Sequence, residues 1–180
     1  MTQQLIQLNI GSALTLDDAT TPALTLTSLT NGSYRQSAKI DLLGSGFGSP
    51  NNPAQLYQVY ASITFGSAPS ANTNMQVWVG FSDSATAGTD NCGNCSGADG
   101  SYAGYSGGSA AVSILQLDFV GQMTLDANTG AQGDYVGSFS PRNRYCYFVV
   151  YNNSGQTLGS SSGASKLVIT PMNPSLQPSA

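Results

Sequence analysis

The sequence contains no histidine and no glutamate, and it has few charged residues of any kind. All nine acidic residues are aspartates, and charged residues make up 8% of the chain, whereas ordinary soluble domains have about 25%. Without histidine the chain cannot form a Ser-His-Asp or Cys-His catalytic centre, and it has no imidazole to bind a metal. The absence of glutamate also disfavours a glycosidase with paired carboxylates. We therefore predict a protein that is not an enzyme, with no catalytic residues and no cofactor.

Cations are scarce as well, and this limits the partners of the chain. Five lysines and arginines and a net charge of −4 cannot neutralise a run of phosphates or hold a polybasic anchor at a membrane. No apolar run approaches the roughly 18 residues that a membrane-spanning helix needs. The start, MTQQLIQLNI, shows no secretory signal. We expect no nucleic-acid partner, no membrane association and synthesis in a cytoplasm.

Two of the three cysteines form a C-x-x-C, Cys92 and Cys95, within a polar segment. A thioredoxin-type site needs this motif at the start of a helix in an α/β fold, and structural zinc needs four ligands, so both are disfavoured. Two readings stay open, a disulfide that staples the loop or a pair of free thiols. Asp83, Asp90 and Asp99 lack the spacing of a calcium loop and are expected to cap turns. We therefore predict no metal site.

Much of the chain consists of short stretches in which apolar and polar residues alternate, and turn-forming residues separate these stretches. No window has a capped 3.6-residue apolar stripe. Eight to ten short strands predict an all-β fold, a single β-sandwich with the jelly roll as the favoured arrangement. The strand-like stretches are 5–10, 24–29, 57–65, 75–81, 115–125, 135–139, 145–151 and 166–170.

The chain divides by pattern into three regions. Residues 1–30 read as an N-terminal arm or a first hairpin, and residues 31–171 form the β-sandwich domain. Residues 172–180 are rich in proline, which is excluded from central strands, and read as an extended tail. Within the domain, 82–108 is a long loop rich in glycine and serine with few aliphatic residues. A loop of that length in a compact domain is typically functional or disordered.

The loop and the N-terminal region supply the candidate contact residues. Tyr102 and Tyr105 lie near the end of the loop, and tyrosine offers a large contact area at low entropic cost. Leu5, Ile6 and Leu8 belong to the partly alternating stretch LIQLNI in the N-terminal region and offer a second anchor. A surface with so few charges is poorly protected against association. We therefore expect a homo-oligomer or a subunit of a larger assembly.

Several segments, taken in order, resemble a family of small virion proteins of tailed bacteriophages and prophages. Together they span roughly residues 33–170. The matching segments are YRQSAKIDL (34–42), SDSATAGTDN (82–91), SGADGSYAGYS (96–106), LQLDFVGQMT (115–124) and YVGSFSPRNRYCYFVVYNNSG (135–155).

The resemblance implies a structural component of a phage particle, made in the host cytoplasm and located in the virion. Within that class we predict a decoration or cement protein that docks in many copies on the head shell, with the major capsid protein or another virion protein as partner. A tail, neck or fibre-attachment component is one alternative. A receptor- or carbohydrate-binding module of a phage spike is another, since fold alone does not establish function.

Overall fold

The computed structural model describes residues 6–44 and 54–176. Strands dominate this part, joined by a short helix, α1 (Ala110–Ser113), and 3-10 turns at Cys92–Asn94 and Ile114–Gln116. The strands are β1 (Ile6–Ile10), β2 (Leu14–Leu16), β3 (Tyr34–Gln36), β4 (Ile40–Asp41), β5 (Leu56–Ile63), β6 (Asn74–Ser82), β7 (Gly100–Ser101), β8 (Asp118–Thr124), β9 (Gln132–Phe139), β10 (Tyr145–Asn153) and β11 (Lys166–Leu176).

The strands form one curled antiparallel sheet in the order β1-β11-β5-β9-β8-β6-β10-β3-β7, with β2 also on β11 and β4 also on β10. The all-β, sandwich-like prediction is therefore confirmed. The sheet has two halves, one centred on β5 and β11 and the other on β6 and β10. Their inner faces share a core cluster that contains the largest buried side chains of both halves. The jelly-roll arrangement is not established by this strand order and stays a prediction.

The two halves meet at a corner between β8 and β9, where Gly121 pairs with Gly137. A Cβ on Gly121 would lie 2.1 Å from the Val136 carbonyl oxygen, and one on Gly137 would lie 2.2 Å from the Val120 carbonyl oxygen. Such distances are far below van der Waals contact. The two strands can approach this closely only because both positions are glycine.

Strand β10 is covered on both faces, as its doubly apolar sequence predicts. Cys146, Phe148 and Val150 point into the core between the halves. Tyr147 and Val149 point the other way, into a second cluster on the outer face. The half-sheet of β6 and β10 is thus the middle layer of three at this place, and something must cover its outer side.

The N-terminal region is neither a free arm nor a hairpin where the structure describes it. β1 and β2 both pair with β11 and not with each other. Leu24 and Leu26 are fully buried in the core although their segment forms no strand. The period of two in 24–29 therefore reflects burial of alternate leucines in an irregular segment. This corrects the expectation of an arm over 1–30, because residues 14–29 help to fill the core.

The boundary expected at residue 172 falls inside a strand, because β11 runs to Leu176 between β5 and β1. Proline is accommodated at Pro171 because this residue faces the gap between β1 and β2. There its carbonyl accepts a hydrogen bond from the Gly11 amide at 2.9 Å. In an antiparallel strand the missing N–H would point to the same side, where β1 has ended. The rest of the predicted tail, 177–180, lies outside the described residues.

Within residues 6–44 and 54–176, no helix is long and apolar enough to cross a membrane.

Candidate functional site

The loop over 82–108, together with the turns that follow it to Leu117, forms an ordered layer on the outer face of β6 and β10. Cys95, Tyr102, Ile114 and Leu117 from this layer pack with outward-facing side chains of the sheet in the second cluster. The sheet contributes Trp78, Tyr147 and Val149 to that cluster. The loop therefore supplies the cover that β10 requires, and Trp78, which is 9% exposed, is a core residue.

One lysine fastens the start of this layer. The ammonium of Lys39 lies 2.8 Å from the Ser82 hydroxyl and 2.8 Å from the carbonyl oxygens of Ser84, Thr86 and Thr89. Burial lowers the pKa of Lys39, while the nearby Asp90 carboxylate opposes that shift. The carbonyl oxygens surround the ammonium much as they would surround a bound cation, so Lys39 holds residues 82–89 in one conformation.

Tyr102 belongs to the interior of the layer, which corrects its expected role as a contact residue. Its side chain is 4% exposed, and its hydroxyl donates a hydrogen bond of 2.7 Å to the Gly93 carbonyl. From the sheet below, the Tyr147 hydroxyl donates to the Cys92 carbonyl at 3.1 Å. The ring of Tyr147 lies over Gly80, where a Cβ would be 2.3 Å from it. Tyr102 and Tyr147 thus fix the turn at Cys92–Asn94.

The C-x-x-C cysteines are free thiols, so the disulfide that their spacing permits is not formed in this structure. Cys92 is exposed, whereas Cys95 is buried in the second cluster, and burial raises the pKa of the Cys95 thiol to about 12. Cys146 is buried in the main core. A thiol with so high a pKa is a poor nucleophile at neutral pH.

Asp83 and Asp99 accept hydrogen bonds from residues far away in the sequence, so the expectation that they cap turns of their own loop is wrong for these two. Asp99 accepts hydrogen bonds from Arg35 and from both the amide and the hydroxyl of Thr25. Asp83 accepts one from the Asn143 amide at 2.6 Å. Among the residues that the structure describes, no three acidic or cysteine side chains are grouped as metal ligands would be.

An uncharged apolar patch lies beside the loop. We call the exposed side chains of Tyr105, Val112, Leu115 and Phe119 the 105–119 patch, and they are 45%, 66%, 74% and 55% exposed. No residue from 100 to 117 carries a charge. The sequence pattern indicated Tyr105 but not the other three. Leu115 and Phe119 read as part of a strand, whereas 114–116 forms a 3-10 turn and Leu115 is exposed. Val112 lies in the short helix α1, which no sequence pattern predicted.

The other candidate contact residues lie at the edge of the sheet. Ile6 and Leu8 belong to β1, where their backbones pair with Leu176 and Pro174 of β11. Leu5 lies outside the described residues. The structure thus separates these residues from Tyr105, because β1 is at one end of the strand order and the loop layer covers the other half.

A groove of about 480 Å³ opens between the segment 25–34 and the end of the loop. Tyr34, Arg35 and Tyr102 form part of its wall. The Tyr34 ring stacks on Tyr151 with centroids 4.3 Å apart and meets Tyr102 edge-on at 6.2 Å. The serine and threonine side chains that line the groove are Thr25, Thr27, Ser28, Thr30, Ser33 and Ser101.

Comparison with known proteins gives no relative: no protein-family model, no curated protein and no solved structure matches the chain.

Proposed function

We propose that the protein is a non-enzymatic structural component of a phage virion, and specifically a decoration or cement protein of the head shell. Two lines support this proposal. The resemblance of several segments to small virion proteins supplies the biological setting. The all-β fold and the low surface charge suit a subunit that is largely covered after assembly.

The observation that carries the docking step is the 105–119 patch. Aliphatic side chains such as Leu115 and Val112 stand well clear of the surface on a segment without any charge. Several large apolar side chains exposed along one short stretch of chain favour a protein contact there. Because the patch lies on an ordered layer held by Lys39 and Tyr102, it is presented in one conformation, which limits the entropic cost of docking.

If many copies bind to the shell, a weak contact per copy is enough for stable attachment. A patch of four side chains offers modest affinity per copy, but a shell repeats the same site with fixed spacing, and contacts between neighbouring copies add to the hold on the shell. The partner in this mechanism is the major capsid protein, and neighbouring copies of the chain complete the array. Tail, neck or fibre attachment would use the same patch with far fewer copies.

Quantitative mass spectrometry of purified virions tests the assignment. A ratio to the major capsid protein within a few-fold of one supports shell decoration. A ratio of a few per hundred would contradict decoration and favour a tail or neck component. Absence from the particle would overturn the virion proposal.

A matched pair of variants tests the patch. Phage that lacks this gene is supplied with the protein in trans, either as Leu115→Ser with Val112→Ser or as Leu56→Ser, which alters an exposed leucine on β5 of the other half. We expect the double variant to fold and to be depleted from particles, and the Leu56→Ser protein to be incorporated normally. Equal incorporation of both would exclude the patch as the docking surface.

A further inference from the structure

We infer that the groove between 25–34 and the end of the loop is a binding site for a neutral saccharide. The inference is independent of the virion assignment, because it rests on the groove alone. Its volume of about 480 Å³ lies within the range of about 300–1,000 Å³ that small-molecule sites have.

Unused hydrogen-bonding groups are available in this groove. The hydroxyls of Tyr34, Ser28 and Ser101 make no hydrogen bond to another residue in the described ranges, although all three residues line the groove. Each hydroxyl can both donate and accept. A ligand with several hydroxyls of its own matches such groups, because every new pair can take the donor or the acceptor role.

The groove offers no net charge to an ionic ligand. Arg35 points two donors at Asp99, with Nε 3.2 Å from Oδ1 and Nη2 3.2 Å from Oδ2. Asp99 is also held by the amide of Thr25 at 2.9 Å. The guanidinium is therefore neutralised within the wall, which disfavours a phosphate or a carboxylate. A fixed ion pair still provides strong hydrogen-bonding groups for neutral hydroxyls.

The aromatic wall is rigid and supplies the apolar contact. Tyr34 is held by its stack on Tyr151 and by a T-shaped contact with the buried Tyr102. An aromatic ring with fixed orientation costs little entropy on binding. A ligand with one apolar face and a rim of hydroxyls fits this combination, and a pyranose has that form. Ala110, which also lines the groove, adds only a methyl group.

The groove and the uncovered outer face of β5 and β9 lie on different halves of the molecule. The groove belongs to the side of the molecule that the loop covers, whereas Tyr60 and Tyr135 mark the bare outer face of the other half. Occupation of the groove therefore leaves that bare face free.

Titration of the isotope-labelled full chain, followed by amide NMR shifts, tests the site. The probes are glucose, galactose, mannose, rhamnose and N-acetylglucosamine, with glucuronate as the charged comparison. We expect at least one neutral sugar to shift amides in 25–35 and 101–110 with a Kd on the order of 1 mM, and glucuronate to bind more weakly. No shift with any neutral probe, shifts confined to other regions, or tighter binding of glucuronate would overturn the inference.

Variants locate the site. Ala110→Trp fills the groove and is expected to weaken binding by about tenfold or more, a change of about 1.4 kcal/mol. Ser28→Ala with Ser101→Ala removes two unused hydroxyls without adding bulk, so it tests the site even if the tryptophan variant fails to fold. Ser138→Ala, at an exposed position on β9, is the control and should bind like wild type. Unchanged binding in the double serine variant would contradict the assignment.

Discussion

At the scale of single residues, Lys39 shows how a chain with few charges uses one of them. Its ammonium contacts one hydroxyl and three backbone carbonyl oxygens, all at 2.8 Å. Those carbonyls belong to a segment with no strand or helix, and the ammonium of Lys39 is a donor that contacts all three of them. Removing the ammonium would break four hydrogen bonds to one charged group at once, and hydrogen bonds to charged groups are stronger than average.

We predict that Lys39→Met lowers the free energy of unfolding by about 1–3 kcal/mol and exposes residues 82–91 to proteolysis. Urea denaturation measures the first effect, and mass spectrometry of limited-proteolysis fragments measures the second. Lys166→Met on β11 is the matched control and should change stability by less than about 0.5 kcal/mol. Equal losses in both variants would show that the carbonyl contacts of Lys39 add nothing specific.

The ionisation of Asp99 makes the stability of the folded protein depend on pH. Burial opposes ionisation of this side chain, but hydrogen bonds from Arg35 and Thr25 outweigh it, and the pKa of Asp99 falls below its ordinary value of 3.8. At pH values near these pKa values the folded state therefore binds fewer protons than the unfolded chain, and stability declines as pH falls. The contribution is complete above the unfolded pKa and is lost as pH drops through the folded pKa.

We predict that the urea midpoint of the wild type falls between about pH 5 and about pH 2, and that Asp99→Asn shows a shallower fall. Urea unfolding at several pH values measures both slopes. Asp134→Asn, an exposed aspartate on β9, is the comparison and should keep the wild-type slope. If the urea midpoint of Asp99→Asn fell with pH as steeply as that of the wild type, Asp99 would not contribute to the loss of stability in acid.

At the scale of elements, the corner between β8 and β9 decides whether the two halves can close over one core. We predict that Gly121→Ala destabilises by about 3 kcal/mol or prevents folding, because the added Cβ would meet the Val136 carbonyl oxygen at 2.1 Å. Circular dichroism and urea unfolding measure the loss. Gly66→Ala, with nothing within 4 Å of the added carbon, should change stability little. Native stability in Gly121→Ala would show that the corner can relax.

The long strands could be predicted from the sequence because each has to bury one or both faces, and burial in a sheet imposes a period of two. Prediction failed where alternating residues are buried without forming a strand, and where a strand includes a residue that strands usually exclude. Leu24 and Leu26 alternate and are buried, yet their segment is irregular. Pro171 argues against a central strand, yet it fits where β1 ends and β2 has not begun. Both cases depend on distant neighbours that no local pattern records.

The candidate site could be predicted only in part for a related reason. A loop rich in glycine and serine over 82–108 was evident, as was the presence of tyrosines near its end. Which tyrosine is buried depends on the register of the layer over the sheet, since Tyr102 reaches Gly93 while Tyr105 turns outward to Gln116. The groove was missed because its hydroxyl-bearing residues belong to separate segments with no common motif.

At the scale of the whole molecule, four of the five cations already have a partner within the protein. Arg35, Arg142 and Arg144 each pair with an aspartate, and Lys39 is enclosed by carbonyl oxygens. What the molecule presents beside its loop is an uncharged apolar patch. Association through that patch would depend on apolar burial and on the number of copies, with little contribution from long-range electrostatics.

We therefore predict that the protein stays on purified particles when salt is raised from about 0.1 M to about 1 M, which shortens the Debye length from about 10 Å to about 3 Å. Moderate urea should release it, because urea weakens apolar contacts. Sedimentation of treated particles, with this chain quantified in pellet and supernatant, measures both, and the major capsid protein in the pellet reports that the shell is intact. Release by salt alone would require a contact made by charges, and the exposed pair of Arg142 and Asp118 would then replace the 105–119 patch as the docking surface to test.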